Sequence, residues 1–194
     1  MSEAPSKFIT LIRHGESQSQ ANPDVDGINP DLSPKGEDQA RALVNRVRGI
    51  KADAIIASPL IRAFRTYKLS ELESDNVTFD PRLVESDWGS PERYDGVDFP
   101  YLDDSGTLQN PDWHHRPVKE RVRSLIESIE SARHEQFVLF GHWGVFAEFL
   151  GCFFEISDGA RMALMENTAL STLEIMGDGR RRLLTWNDSS HLPR

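Results

Sequence analysis

Hydrophobic positions along the chain follow two periods. Phe8-Ile9-Thr10-Leu11-Ile12, Ala54-Ile55-Ile56-Ala57 and Phe137-Val138-Leu139-Phe140 are short apolar runs with the pattern of buried strands, and Val77-Thr78-Phe79 is a shorter run of the same kind. Stripes at helical spacing separate them: Ala40, Leu43, Val44 and Val47 in one, Val118, Val122, Leu125, Ile126 and Ile129 in another. Ser33-Pro34 and Ser58-Pro59 each put a capping hydroxyl before a proline, which predicts two helix starts, and Gly49 predicts the end of the first helix. The apolar stretch 137–156 reads as strand, turn and buried helix rather than a membrane span, because His142, Glu148, Glu155 and the glycines at 141, 144 and 151 interrupt it. Two last strands are expected at 168–175 and 182–186, around the turn Gly177-Asp178-Gly179.

Strands alternating with helices predict an α/β fold of three layers, a mainly parallel sheet with helices on both faces. Segment 88–117 departs from this pattern. It is rich in Pro, Gly, Asp and aromatic residues without sustained periodicity, and is expected to form a lid or specificity excursion over the C-terminal ends of the strands. With 194 residues, 38% of them hydrophobic, the chain has the length of one domain with a sizeable core.

Composition narrows the partners. The net charge of −9, from 31 acidic against 22 basic residues, argues against non-specific binding to nucleic acid or anionic membrane. Arg180-Arg181-Arg182 follows a Gly-Asp-Gly turn and reads as a solvated hairpin. A single cysteine, Cys152, and a start without a positive-then-apolar leader pattern lead us to expect a cytoplasmic protein, with a nuclear location equally compatible.

The chemistry should lie where the strands end, since open parallel sheets bind ligands beyond their carboxyl edge. Arg13-His14 follows the first predicted strand, Ser58 to Arg62 the second, Glu85 the short run at 77–79, and His142 the strand at 137–140. Guanidinium forks match phosphate oxygens and an imidazole nitrogen can attack phosphorus, so these residue types converging on one edge suit an anion site. From the residues alone the reading stops there.

Arg13-His14-Gly15-Glu16-Ser17 resembles the Arg-His-Gly motif of the histidine phosphatase superfamily, which includes cofactor-dependent phosphoglycerate mutases. Leu32-Ser33-Pro34-Lys35-Gly36, Ser58-Pro59-Leu60-Ile61-Arg62-Ala63 with Thr66, Leu83-Val84-Glu85, Gly141-His142, Asn167-Thr168 and Asn187-Asp188 before His191-Leu192 resemble further motifs of that family, in order along nearly the whole chain. The resemblance implies that His14 is a nucleophile forming a phosphohistidine. It also implies that Arg13, Arg62, His142 and the backbone amide of Trp143 bind the phosphoryl group, and that Glu85 protonates the leaving oxygen. No metal or cofactor is then expected, and the partner is a small phosphorylated substrate or a phosphoprotein.

Three departures from the family pattern bear on that expectation. Trp143 stands where the family usually has glycine, its common asparagine after the first motif is displaced here to Asn22, and Asp87 is a second acid close to Glu85. His142 is followed directly by Trp143 where the acid-phosphatase branch of the family places an aspartate, so the resemblance is to the mutase-like branch, and the mutases' Glu-Arg-His-Tyr-Gly segment has no counterpart, which favours hydrolysis. Phosphoglycerate mutase-type transfer and a non-catalytic phospho-ligand-binding domain are the alternatives.

Overall fold

The computed structural model describes residues 4–25, 27–86, 97, 99, 102, 106–109, 111–156 and 164–193. Strand β1 (Lys7–Arg13) leads to a short helix α1 (Gln18–Ala21), then α2 (Pro34–Val47), β2 (Ala54–Ala57), α3 (Ile61–Leu69) and β3 (Val77–Phe79). A two-residue strand β4 (Thr107–Leu108) precedes α4 (Val118–Ser131), β5 (Gln136–Gly141), α5 (Trp143–Phe154) and the hairpin of β6 (Leu170–Ile175) with β7 (Arg181–Asp188). These strands form one sheet in the order β4-β3-β2-β5-β1-β6-β7. From β4 to β1 the neighbours are parallel; β6 and β7 are antiparallel.

Strand alternation divides the core into two layers. Ile9, Leu11, Phe137 and Leu139 face α4 and α5, where Val122, Leu125, Ile129, Val145, Phe149 and Phe153 complete one cluster. Ile12, Val138 and Phe140 face the other way, onto Leu43 and Val47 of α2 and Phe64 and Tyr67 of α3. The period of two along β1 and β5 thus feeds both helix layers.

Helix α2 begins as its sequence predicts: Pro34 is at the first helical position and Ser33 Oγ accepts from the Gly36 amide at 3.0 Å. Its first turn lies against the loop after β1 so tightly that a Cβ on Gly36 would sit 2.0 Å from the Glu16 carbonyl oxygen, and one on Gly15 2.4 Å from that of Gly36. Glycine at both positions lets these two backbones meet.

Helix α2 stops where Gly49 predicts, ending at Val47 with Arg48 as its cap and Gly49 the first residue beyond it. Two expectations are corrected. Ser58-Pro59 does not start α3. The helix begins at Ile61, whose amide donates to Asn29 Oδ1 at 2.8 Å, a side chain from a distant loop, while Ser58 Oγ accepts from the Leu60 amide at 3.3 Å and also meets His142. The strand expected from 168 starts at Leu170, because Thr168 has a left-handed φ of 58° that ends extended backbone there. The excursion 88–117 falls largely outside the described residues; within it, Thr107–Leu108 joins the sheet edge beside β3 and Pro111–His115 forms a 3-10 turn.

Arg121 of α4 is 2% exposed, and its guanidinium donates to the carbonyls of Pro81, Val84 and, through Nε, Arg116, at 3.2, 2.7 and 3.1 Å. Removing it strands several buried acceptors at about 1–3 kcal/mol each. We expect Arg121→Ala to lower Tm by about 6–12 °C for a loss of about 3 kcal/mol, a shift that calorimetry reads directly.

Candidate active site

The register of the central strands assembles the site. β1 and β5 pair Arg13 with Gly141, so His14 and His142, the next residue of each chain segment, emerge side by side with ring centroids 5.0 Å apart. β2 pairs Ala57 with Phe140, which brings Ser58 to the same level, its amide donating to the Phe140 carbonyl at 2.8 Å. Three adjacent parallel strands therefore deliver their polar residues to one carboxyl edge.

His14 is 4% exposed, and its Nδ1 lies 2.6 Å from the Gly15 carbonyl oxygen. A carbonyl only accepts, so Nδ1 carries the proton and Nε2 keeps the lone pair. The peptide between His14 and Gly15 is fixed at both edges: Asn167 Nδ2 donates to the His14 carbonyl at 2.9 Å, and the Gly15 amide donates to Thr66 Oγ1 at 3.0 Å. Burial first, then the guanidinium groups of Arg62 and Arg13, hold the His14 pKa well below its ordinary 6.5.

His142 is fully buried, with Nε2 2.9 Å from Ser58 Oγ and Nδ1 without a partner among the described residues. Burial, followed by Arg62, His14 and Arg13, pushes its pKa well down too. Arg62 is buried in the first turn of α3, where the helix dipole is unfavourable to a cation. Arg13 anchors one nitrogen on the Met165 carbonyl, and its buried Nε has no partner among the described residues. Its pKa is lowered by burial, with Glu85 opposing and Arg62 assisting. Two cations beside two imidazoles whose charged form is disfavoured make a cradle suited to an anion's oxygens, and Arg13 Nε and His142 Nδ1 are buried there without a partner among the described residues.

Glu85 follows a 3-10 turn (Pro81–Leu83) and reaches the N-terminus of α5. Its Oε1 accepts from the amides of Ser86 and Val145 at 2.8 and 3.0 Å, and Oε2 from the Gly144 amide at 3.4 Å. Helix α5 has His142 as its N-cap without a side-chain cap bond, so the carboxylate takes that role. Trp143 occupies the first helical position and packs its partly buried indole against the α4–α5 core cluster.

The structure thus brings Arg13, His14, Arg62, Glu85, His142 and Trp143 to one edge of the sheet. Asn22 is not part of the group: it is exposed at the end of α1, and its Oδ1 accepts from the Asp24 amide at 3.0 Å. Asp87 lies outside the described residues. The sequence places Ser58, Thr66 and Asn167 within the motifs but gives them no individual role at the site, apart from Ser58 as a helix cap, and it gives none to Arg121. Arg121 left one signal, as a charged residue inside the apolar stripe of α4.

Comparison with known proteins agrees with this architecture. The family model described as histidine phosphatase superfamily (branch 1) matches residues 9–189. A Hydrogenobacter thermophilus protein named as a candidate phosphoserine phosphatase is 29% identical over 153 residues, covering 71% of this chain and 74% of its own. A Citrobacter koseri protein named a probable phosphoglycerate mutase is 31% identical over 125 residues, 63% of this chain and 55% of its own. Among solved structures, the phosphoserine phosphatase of Entamoeba histolytica, crystallised with phosphoserine, superposes with a TM-score of 0.69 at 20% identity over 96% of this chain and 100% of that one.

Proposed function

The chain belongs to the histidine phosphatase superfamily, and from that premise we propose that it is a metal-independent phosphatase that hydrolyses a small phosphomonoester through a phosphohistidine at His14. The observation that carries this reading is the tautomer of His14: with Nδ1–H committed to the Gly15 carbonyl, the Nε2 lone pair is free and the buried ring is neutral. Nε2 attacks phosphorus, the P–O bond to the leaving group breaks, and Glu85 gives a proton to the departing oxygen. Water then attacks the phosphohistidine, its proton passes to Glu85, and the P–N bond breaks. Arg13, Arg62, the His142 ring and the amide of Trp143 hold the phosphoryl oxygens throughout. The work is positioning and charge stabilisation, which is what phosphoryl transfer asks of a protein.

Phosphate release from an aryl phosphate and from a panel including both phosphoglycerates, with chelator present, tests the proposal. Chelator-resistant release supports it. Interconversion of the phosphoglycerates without release would replace it with mutase chemistry, and binding without turnover would reduce the chain to a phospho-ligand-binding domain.

The depressed histidines also set a pH dependence. kcat/KM reports the free enzyme, so after correction for the substrate's own ionisation it should hold as pH falls through 6.5, the ordinary histidine value. An acid limb centred at or above that value would contradict a neutral His14. Stability has a matching sign. Below 6.5 the unfolded chain binds protons that the folded histidines refuse, so the contribution present above that pH is lost as pH falls.

A further inference from the structure

Beyond β7 the chain turns back toward the nucleophile. Asp188 anchors the turn through an ion pair with Arg46 of α2 at 2.8 Å and by accepting from the Ser190 amide at 3.0 Å. His191, three residues on, places Nε2 3.1 Å from Thr168 Oγ1. The Thr168 hydroxyl has one proton, and that proton goes to the Asn167 carbonyl at 2.8 Å, an atom that only accepts. The contact is therefore His191 Nε2–H donating to Thr168, which leaves Nδ1 as an unprotonated atom, buried and without a partner among the described residues.

Thr168 is the residue held in the left-handed region, at φ 58°, a conformation that a β-branched side chain adopts only when its surroundings impose it. That conformation is put to use. Its amide donates to the carbonyls of Arg13 and His14 at 3.1 and 3.3 Å, beside the bond from Asn167 to the same His14 carbonyl. The hydroxyl is pinned from two sides, by Asn167 and His191, so the backbone that carries the site's arginine and nucleophile hangs on a strained residue fixed from the C-terminal turn.

We propose that His191 is a positioning residue for His14, acting through Thr168 to hold the peptide on which the nucleophile's ring is oriented; this rests on the reading of His14 as nucleophile. The donor is the essential feature. A glutamine amide reaches about as far as Nε2 and keeps an N–H, whereas phenylalanine fills the same space without one.

Wild type, His191→Phe and His191→Gln are compared by aryl phosphate kinetics and by the nitrogen NMR signals of the His14 ring. In the phenylalanine variant kcat should fall about 10- to 100-fold with KM nearly unchanged, the scale of a small misplacement of a reacting group, and His14 should pass from one Nδ1–H tautomer to a mixture. Glutamine should restore both. A folded His191→Phe with wild-type His14 signals and kcat would overturn the proposal, as would a glutamine variant as impaired as the phenylalanine one. Should His191→Phe fail to fold, Thr168→Ala removes the acceptor from the other side and is judged on the same two readouts. If the wild type hydrolyses no phosphate ester, the functional reading falls, while the His14 tautomer still decides the positioning role.

Discussion

His14→Ala should lose about 10⁴-fold or more in kcat, about 5.5 kcal/mol of transition-state stabilisation at 1.36 kcal/mol per decade. Among the described residues no neighbouring group is placed to take over. His142 is centred 5.0 Å away with Nε2 engaged by Ser58 and, in the proposed role, its Nδ1–H given to a phosphoryl oxygen, and Glu85 is tied to three backbone amides. Arg13 and Arg62 offer no lone pair. The cationic cradle survives the substitution, so KM and the affinity for inorganic phosphate should change far less than kcat, the signature of a group that acts mainly in the transition state. Quenched with base during turnover, the wild type should carry covalent phosphate that acid releases, as expected of a phosphohistidine. A His14→Ala variant that keeps more than about one part in a hundred of wild-type kcat, after removal of contaminating phosphatase, would place the nucleophile elsewhere.

Much of this site was legible because its residues sit at the ends of apolar runs. Where a run such as 137–140 stops at Gly141-His142, the strand and the polar group at its end are read together, and parallel pairing then sets His142 next to His14. The sequence is silent where a contact joins distant segments. Thr66 meets Gly15 from a helix 51 residues on, and Asn167 meets His14 across 153 residues; nothing local to either marks the bond. Ser58 shows the opposite failure. Its local signal, a hydroxyl before proline, is that of a helix cap, and the real cap comes from Asn29, so tertiary context overrode a sound local rule. Asn22 was carried by analogy of spacing alone, and the structure spends its side chain on its own turn.

Gly144→Ala separates activity from stability more cleanly than any change to Glu85 itself. A Cβ at this position would lie 2.5 Å from Glu85 Oε1 and 2.2 Å from Ser86 Oγ. Both atoms belong to side chains rather than backbone, so they give way. The carboxylate leaves the amides of Gly144 and Val145, and with them the position from which it serves the leaving oxygen. Loss of a placed general acid costs about 10²–10⁴-fold; because the displaced carboxyl stays nearby, we expect kcat to fall about 10²-fold. Stability falls by no more than about 1–2 kcal/mol, because the cap that the carboxylate gave α5 is lost, while alanine in place of glycine in the helix offsets up to about 1 kcal/mol. Glu85→Gln should cost at least as much, and the double variant should be no worse than Glu85→Gln alone, since both act through one carboxyl group. A Gly144→Ala enzyme with wild-type kcat would mean that Glu85 in this position does not carry the proton. Full additivity in the double variant would mean that the amides at the start of α5 act on the substrate directly, with Glu85 as no more than the cap that keeps them in place.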